Sequence, residues 1–247
     1  MSRNFEVLCR VEQQENALTT ESTVVVSALL DDKRAYAPAW KTSSPAHSEI
    51  LKLVQALFLS SANSPHRVLF CGVDTGEGSR RVCASAAKAL AGEVSSRVCL
   101  VDAKVLGPPL PRSVDLDEPV FPPSNPVERS GPVARQIDGN LWFVSAGDLR
   151  SAGDSNSGAE QMCSNLLDLQ KEFGYLLVDA PPLGADIIAS VLGQVMDGVV
   201  LILEANATRR VKARSVIQIL DAANVRLLGT VLNNRTFPIP EKLYRRL

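Results

Sequence analysis

Short apolar runs that alternate with helical patterns are the feature that most constrains the fold of this chain. The runs lie at 68–71, 98–101, 141–144, 176–178, 199–203 and 225–232. Unbroken apolar runs of this kind are typical of strands buried on both faces, and the helices between them supply the crossovers of a parallel sheet. The sequence therefore predicts an α/β fold with a mainly parallel central sheet and helices on both faces.

The chain can bury a large core, because it has 247 residues and 45% hydrophobic content. Its net charge of -1 gives no general reason to expect nucleic-acid binding. No apolar run approaches the ~18 residues of a membrane-spanning helix. The first residues also lack the long apolar stretch of a secretory signal. We therefore expect a cytoplasmic protein without a transmembrane segment.

The five cysteines form an odd, scattered set without a Cys-x-x-Cys pair, which is typical of a reducing compartment. Cys71, Cys83 and Cys99 fall within predicted strands or helices, so we expect them to be small buried hydrophobic residues. Neither a zinc site nor a catalytic thiol is predicted from this pattern.

Composition divides the chain into two parts. Residues 1–45 are mostly polar and are predicted to form an N-terminal arm, whereas 46–247 form the α/β domain. The domain is expected to begin with a helix over 46–60, where apolar residues recur at spacings of three and four. Eight prolines lie between positions 106 and 132. They predict a long exposed loop, because proline interrupts regular helix.

A glycine-rich loop follows the run at 68–71 and leads into a helix. A phosphate-binding loop occupies such a place and reads Gly-x-x-x-x-Gly-Lys-Ser/Thr: backbone amides surround phosphate, lysine neutralises it and the hydroxyl holds magnesium. In register with that pattern, Val73 stands at the first Gly, Ser79 at the Lys and Arg80 at the Ser/Thr. The scaffold of a phosphate site is retained, whereas the groups that grip nucleotide are replaced.

The candidate cofactor-binding residues form the end of this loop and the first turn of the helix. They are Gly76, Glu77, Gly78, Ser79, Arg80 and Arg81. The glycines can shape a backbone nest for an anion. The two arginines allow two interpretations, contact with a bound anion or simple exposure to solvent on the first helical turn, and we expect the second.

Two further strands end in aspartate, Asp102 and Asp179. Ligands of open α/β sheets bind at the carboxyl ends of the strands. Carboxylates in that place hold the magnesium shell or activate a nucleophile in phosphate-loop enzymes. We identify the two aspartates as vestigial catalytic residues, with a helix cap or turn residue as the alternative.

Together these elements resemble the bacterial tyrosine kinases of capsule and exopolysaccharide synthesis (BY-kinases, CpsD/CapB-like), which are relatives of the MinD and ParA ATPases. The resemblance covers roughly 46–247. It rests on the loop, on two acidic motifs and on three later segments, at 71–81, 98–104, 176–182, 197–203, 208–210 and 228–233. It implies a P-loop NTPase fold.

The chain departs from that family at positions that bear on the chemistry. The family's second acidic motif is Asp-x-Asp, whereas here Lys104 replaces the second Asp and would repel magnesium. Asp74 stands where the MinD and ParA relatives carry a signature lysine. Of the family's ring-assembly motif only Glu49 is clearly retained, and the tail offers one candidate phosphosite, Tyr244.

The resemblance and its departures imply a degenerate BY-kinase-like domain, a pseudokinase without meaningful kinase or ATPase turnover. No cofactor is expected; ATP and ADP are candidate ligands, and binding of Mg²⁺ is not expected. The implied role is non-catalytic regulation or scaffolding in capsule and exopolysaccharide biosynthesis and export. The implied partner is the cytoplasmic part of a membrane polysaccharide chain-length or export protein, or a competent kinase. The domain would then be peripheral to the inner membrane through that partner.

Two other functions are consistent with parts of the sequence. One is an active ATP-binding protein-tyrosine kinase or ATPase with a rewired site. The other is a dinucleotide-binding oxidoreductase, suggested by Gly76 and Gly78 before a helix and by Asp102 at the end of the next strand. That pattern requires a small residue at the position of Arg81, where a large side chain would obstruct helix packing.

Charge is unevenly distributed along the chain. From Glu204 onward there are nine Lys or Arg residues and three acidic ones, a local balance of +6. An acidic partner surface is one interpretation. Ordinary solvated helix faces are the other interpretation, because the predicted helix that carries several of these basic residues also has a normal apolar stripe at Val216, Ile217 and Leu220.

Overall fold

The structure is a computed structural model that describes residues 24–26, 45–75, 78–104, 132–150 and 158–234. The candidate phosphosite Tyr244 therefore lies outside the described residues. So does the predicted proline-rich loop at 106–132, except for its last residue. No described helix is both long enough and apolar enough to cross a membrane.

The described residues form one sheet of eight strands. In chain order these are β1 (Val24–Val26), β2 (Arg67–Gly72), β3 (Val98–Asp102), β4 (Arg135–Asp138), β5 (Leu141–Val144), β6 (Tyr175–Asp179), β7 (Gly198–Glu204) and β8 (Leu227–Asn233). Their order across the sheet is β1-β8-β7-β2-β6-β3-β5-β4. Every neighbouring pair is parallel except β4 with β5. The predicted α/β fold with a mainly parallel sheet is confirmed.

Helices cover both faces of the sheet. They are α1 (Pro45–Phe58), α2 (Gly78–Glu93), α3 (Ala146–Arg150), α4 (Gly158–Glu172), α5 (Ile188–Gly193) and α6 (Arg210–Ala222). One core layer contains the buried residues of α1 and α2, and the other contains those of α3 to α6. Alternate residues of each central strand point into the two layers, as in β2, where Phe70 belongs to the first and Leu69 to the second. This two-sided burial explains the unbroken apolar runs.

Two edge strands were not among the apolar runs. β4 alternates half-buried and exposed residues, so it has no continuous apolar run, and it returns to β5 through Gly139 at a positive φ of 47°. β1 lies within the predicted arm 1–45 and pairs in parallel with β8. Both strands lie at the outer margins of the sheet, where one ladder partner suffices.

The cysteines on the central elements are buried. Cys71, Cys83 and Cys99 all lie in the core, as predicted. Burial raises the pKa of all three thiols well above the ordinary range, and the nearby Asp179 carboxylate adds to this effect for Cys71 and Cys83. These thiols stay protonated, and a protonated thiol is a poor nucleophile.

An arginine–aspartate pair joins β2 to the residue before β7 at the amino edge of the sheet. Asp197 Oδ2 accepts hydrogen bonds from the backbone amides of His66 and Arg67, at 2.8 and 2.9 Å. Its Oδ1 accepts a hydrogen bond from Arg67 Nε at 2.7 Å. Burial alone would raise the pKa of Asp197. The hydrogen bonds from Arg67 and from the two backbone amides lower the pKa by more than burial raises it, so it falls below its ordinary value. The pair fixes the start of two adjacent central strands.

Candidate functional site

The candidate site lies at the carboxyl edge of the sheet. β3 and β6 are adjacent and parallel, and their last residues, Asp102 and Asp179, are partners in register. α2 begins at Gly78, directly after the loop that follows β2, and β2 pairs with β6 on its other side. Because parallel strands end at the same edge, the sheet brings the first turn of α2 onto the two aspartates.

Asp179 is the centre of the site and is fully buried. Its Oδ1 accepts a hydrogen bond from Ser79 Oγ at 3.1 Å and lies 2.9 Å from Lys104 Nζ. Its Oδ2 accepts a hydrogen bond from Arg80 Nε at 3.2 Å. Lys104 Nζ also donates to Ser79 Oγ at 2.6 Å. One carboxylate thus binds the side chains at two of the three altered loop positions, Ser79 and Arg80, and the lysine that replaces the family's second aspartate.

Asp102 completes the cluster. Its Oδ1 lies 3.5 Å from Arg80 Nη2 and accepts the backbone amide of Lys104 at 3.0 Å. The side chains of Arg80, Lys104, Asp102 and Asp179 are 3%, 10%, 5% and 0% exposed. Two cations and two carboxylates therefore neutralise each other in a site that is largely shielded from solvent. We call these four residues together with Ser79 the inner charge cluster.

The expectation that Arg80 is exposed to solvent is wrong. Arg80 is buried, and its guanidinium lies between Asp102 and Asp179. A guanidinium offers several donors in a fixed plane, so it satisfies two carboxylates at once and holds its position in the interior. Arg81, the next residue, is partly buried. The arginine stands in the helix turn that would face phosphate, yet the anions it contacts belong to the protein.

Gly78 is held tightly at the start of α2. A Cβ at this position would lie 2.7 Å from Asn233 Nδ2 and 2.9 Å from Glu204 Oε1. Asn233 is buried, and its Oδ1 accepts no hydrogen bond from any described residue. The side chains at the ends of β7 and β8 therefore pack closely on the helix start, and a Cβ at position 78 would force these side chains to shift. Gly76 and Glu77 lie outside the described residues.

Asp74 forms an ion pair that sequence reasoning missed. It contacts Lys212 Nζ near the start of α6. The two residues line a cavity of about 240 Å³ together with Thr75, Glu204, Ala207 and Arg209. The sequence signal was the acidic residue at a position where relatives carry lysine, but its partner lies 138 residues away along the chain.

Within 45–75, 78–104, 132–150 and 158–234, no group of three or more His, Cys, Asp and Glu side chains converges in a way that could hold a metal ion. The two aspartates of the inner charge cluster face Arg80 and Lys104 instead.

Comparison with known proteins identifies the family. The ParA family model, described as NUBPL iron-transfer P-loop NTPase, matches residues 66–244. The chain belongs to the ParA family. This match confirms the predicted relation to the ParA ATPases, and it covers the loop, both acidic motifs and the later segments.

Several solved structures have a fold similar to that of this chain. The chimerical protein CapA2B2 has a TM-score of 0.65 at 16% identity, with 80% of this chain and 88% of that chain covered. The kinase domain of the Escherichia coli tyrosine kinase ETK has a TM-score of 0.64 at 14% identity, covering 87% and 92%. The BceF tyrosine kinase domain has a TM-score of 0.59 at 20% identity, covering 94% and 89%. These likenesses confirm the predicted P-loop NTPase fold.

Proposed function

We propose that this ParA-family domain is a non-catalytic relative of the bacterial tyrosine kinases that regulates or scaffolds capsule and exopolysaccharide biosynthesis and export. The proposal is supported by its similarity in fold to domains named as tyrosine kinases. The observation that carries it is the inner charge cluster. At this cluster, the residues that should grip a nucleotide bind one another.

Lys104 stands where a divalent ion would have to bind. Its ammonium lies 2.9 Å from Asp179 Oδ1 and 2.6 Å from Ser79 Oγ, and both are oxygens of the kind that magnesium prefers. A divalent ion among these oxygens would lie within a few ångströms of the lysine charge, and such repulsion is strong where water is excluded. The residues present therefore do not fit magnesium.

Arg80 is equally committed to the protein. To reach a phosphate it would have to leave Asp102 and Asp179, which are both buried. Breaking a buried ion pair without replacing the partner costs about 3–5 kcal/mol. A charge-assisted hydrogen bond to phosphate returns about 1.5–3 kcal/mol. Nucleotide binding through this arginine is therefore unfavourable.

Phosphoryl transfer depends on a metal that bridges phosphate oxygens and on cations positioned toward the transferred group. The proposal assigns Asp102 and Asp179 a retained structural role in place of that chemistry. Partner contacts then become the means of action. In the proposal, the partner is the cytoplasmic part of a membrane polysaccharide chain-length or export protein, or a competent kinase. The domain would be cytoplasmic and peripheral to the inner membrane through this partner.

Calorimetric titration with ATP and with ADP, each with and without magnesium, tests the proposal. The native chain is expected to give no magnesium-dependent binding. The variant Ser79→Lys/Arg80→Thr/Lys104→Asp restores the phosphate-loop lysine and hydroxyl and the second acidic residue, and it is expected to gain magnesium-dependent ATP binding. Lys171→Asp on the exposed face of α4 is the matched control, because it changes the net charge by the same amount, -2, away from the site.

Turnover separates the proposal from the active-enzyme alternative. Purified native protein is expected to release no phosphate from magnesium–ATP above the rate of a blank and to transfer none to a tyrosine peptide. Tight binding of magnesium–ATP by the native chain, with hydrolysis or tyrosine phosphorylation, would show that the proposal is wrong.

A further inference from the structure

The first part of α6 and its N-cap carry exposed arginines near an exposed valine. Arg209, Arg210 and Arg214 are exposed, and Val211 is 80% exposed. We call these four residues the α6 basic surface. The cavity of about 240 Å³ that Arg209 and Lys212 line adjoins it at the carboxyl edge of the sheet.

Packing of the core does not account for Val211. The core side of α6 is formed by Val216 and Leu220. At 100° per residue, Val211 points almost directly away from them. A β-branched residue also has a lower helix propensity than most polar residues that could stand there. The valine therefore lies at a position where the helix itself gains nothing from it.

The charges of this surface are also unfavourable for the helix. The first turn has no acidic residue, and Arg209 at the N-cap makes no side-chain capping hydrogen bond. Cations at a helix amino terminus oppose the helix dipole. Arg210 and Arg214 are four residues apart, a spacing at which like charges repel. Four local features thus weaken α6, and none strengthens the fold.

The nearby acidic groups do not neutralise this surface. Asp74 is paired with Lys212, and Glu204 lines the adjoining cavity and faces Gly78. On α6 itself, Asp221 lies in the last turn, about 10 Å or more along the axis from Arg214. Within the described parts of the chain, no carboxylate pairs with Arg209, Arg210 or Arg214. The positive charge of the surface remains available to a partner.

We propose that the α6 basic surface binds an acidic protein segment that presents an apolar side chain to Val211. Charge complementarity identifies the acidic character, and the exposed valine among the arginines identifies the apolar contact. Nucleic acid fits less well, because a phosphate backbone would leave the exposed Val211 without an apolar contact. A membrane surface fits less well, because anchoring in lipid needs a broad apolar face and α6 exposes only Val211 and Ile219 among its large apolar residues.

The proposal rests on the function proposed above, a domain that acts through protein contacts, and names the surface and the chemistry of its partner. Fluorescence anisotropy of the full chain with a labelled dodecapeptide of Glu-Glu-Leu repeats tests it. The native chain is expected to bind this probe saturably, with an affinity that falls as salt is raised. The corresponding Gln-Gln-Leu peptide is expected to bind with an affinity at least about tenfold lower, because its charges are absent.

Charge reversal locates the surface. Arg210→Glu/Arg214→Glu is expected to weaken binding of the acidic probe about tenfold. Lys52→Glu/Lys171→Glu changes the net charge equally on the exposed faces of α1 and α4 and is expected to leave binding within about twofold. Val211→Ser is expected to weaken binding about threefold to tenfold, because a methyl contact is lost.

Thermal unfolding of the charge-reversal variant serves as the control for correct folding. Glutamate at position 210, in the first turn of α6, suits the dipole, and the like-charge repulsion between positions 210 and 214 is unchanged, so Arg210→Glu/Arg214→Glu is expected to unfold at the native temperature or above. Loss of binding by this variant therefore cannot arise from loss of α6. The proposal is overturned if the acidic probe does not bind saturably, or if the two charge-reversal variants bind it alike. It is also overturned if a DNA duplex or anionic vesicles of phosphatidylserine bind through the same arginines and the peptide does not.

The nucleotide and peptide measurements test the proposed function and the α6 basic surface separately. Magnesium-dependent ATP binding by the native chain would end the proposed function and leave the peptide affinity of α6 as measured. Absence of peptide binding would end the assignment of this surface and leave the inert nucleotide site as proposed.

Discussion

The two edges of the sheet both hold arginine–aspartate pairs, but the pairs serve different purposes. At the amino edge, Asp197 accepts hydrogen bonds from two backbone amides as well as from Arg67. At the carboxyl edge, Asp179 accepts from the side chains of Ser79 and Arg80 and contacts Lys104. The first carboxylate satisfies the main chain at the start of a strand. The second gathers side chains that stand at motif positions.

Under the proposed function, this difference separates a purely structural ion pair from one that replaces the contacts of a ligand. Backbone amides at a strand start need acceptors in any sequence that folds this way. A buried arginine and lysine have no such requirement, and burying them is costly unless each is paired. Their presence at the edge where α/β proteins bind ligands points to replacement of a ligand's contacts by internal ones. The carboxyl edge is therefore the place to test the proposed function.

The largest effect is expected from Arg80→Ala. It leaves Asp102 and Asp179 with one cation between them in a buried site. The free energy of unfolding is expected to fall by about 3–5 kcal/mol, measured by urea denaturation at pH 7. Arg80→Met/Asp102→Asn removes one charge of each sign and is expected to recover part of that loss. If Arg80→Ala were as stable as the native chain, the inner charge cluster would not be formed.

Glycine substitutions within α2 compare its two ends. Gly78→Ala places a Cβ against Asn233 and Glu204 and is expected to destabilise the protein by about 1–3 kcal/mol. Gly92→Ala is the matched control, because nothing lies within 4 Å of its Cβ. It is expected to stabilise the protein by about 0.5–1 kcal/mol, since alanine is the better helix former. Equal thermal unfolding shifts for the two variants would contradict the close approach at Gly78.

At the amino edge, Asp197→Asn is expected to cost about 1–2 kcal/mol at pH 7, because the pair is partly exposed to solvent. The pKa of Asp197 is lowered in the folded state, so its contribution is complete above its unfolded pKa of about 4. The contribution is lost as pH falls through the lower, folded pKa. The stability difference between native chain and variant should therefore shrink below about pH 4. A constant difference from pH 7 to pH 3 would contradict this assignment.

The smallest effect is expected at the ion pair of Asp74 and Lys212. Both side chains are well exposed, at 33% and 54%. Lys212→Ala is therefore expected to change the free energy of unfolding by less than about 1 kcal/mol. Lys52→Ala, which breaks another exposed pair, is the control and should match it. If Lys212→Ala lowered the free energy of unfolding by several kcal/mol and Lys52→Ala did not, the pair of Asp74 and Lys212 would be structural, like the pair of Arg67 and Asp197.

Most of the fold could be predicted, because burial on both faces leaves a direct trace in sequence. The apolar run at 141–144 coincides with β5, and those at 68–71 and 98–101 differ from β2 and β3 by at most one residue at either end. β4 could not be found in this way. It lies at the margin with one face exposed, so its residues alternate and no apolar run marks them.

The site was predictable only in part. Strand ends placed Asp102 and Asp179 at one edge of the sheet, because parallel strands finish together. The inward direction of Arg80 was not predictable, since it depends on two carboxylates that arrive from distant strands. Whether Lys104 would turn toward the same carboxylates was equally undetermined by its neighbours in sequence. The assigned catalytic and cofactor-binding roles remain predictions.

Under the proposed function, mutual neutralisation of Arg80, Lys104, Asp102 and Asp179 has a physiological consequence. Phosphate-loop enzymes bind a nucleotide and its metal ion at this edge, whereas here the cations that meet the two aspartates belong to the polypeptide itself. Under the proposed function, the edge would look the same in an energy-rich and in a starved cell. Control over the assembly would then come from how much of the protein is made.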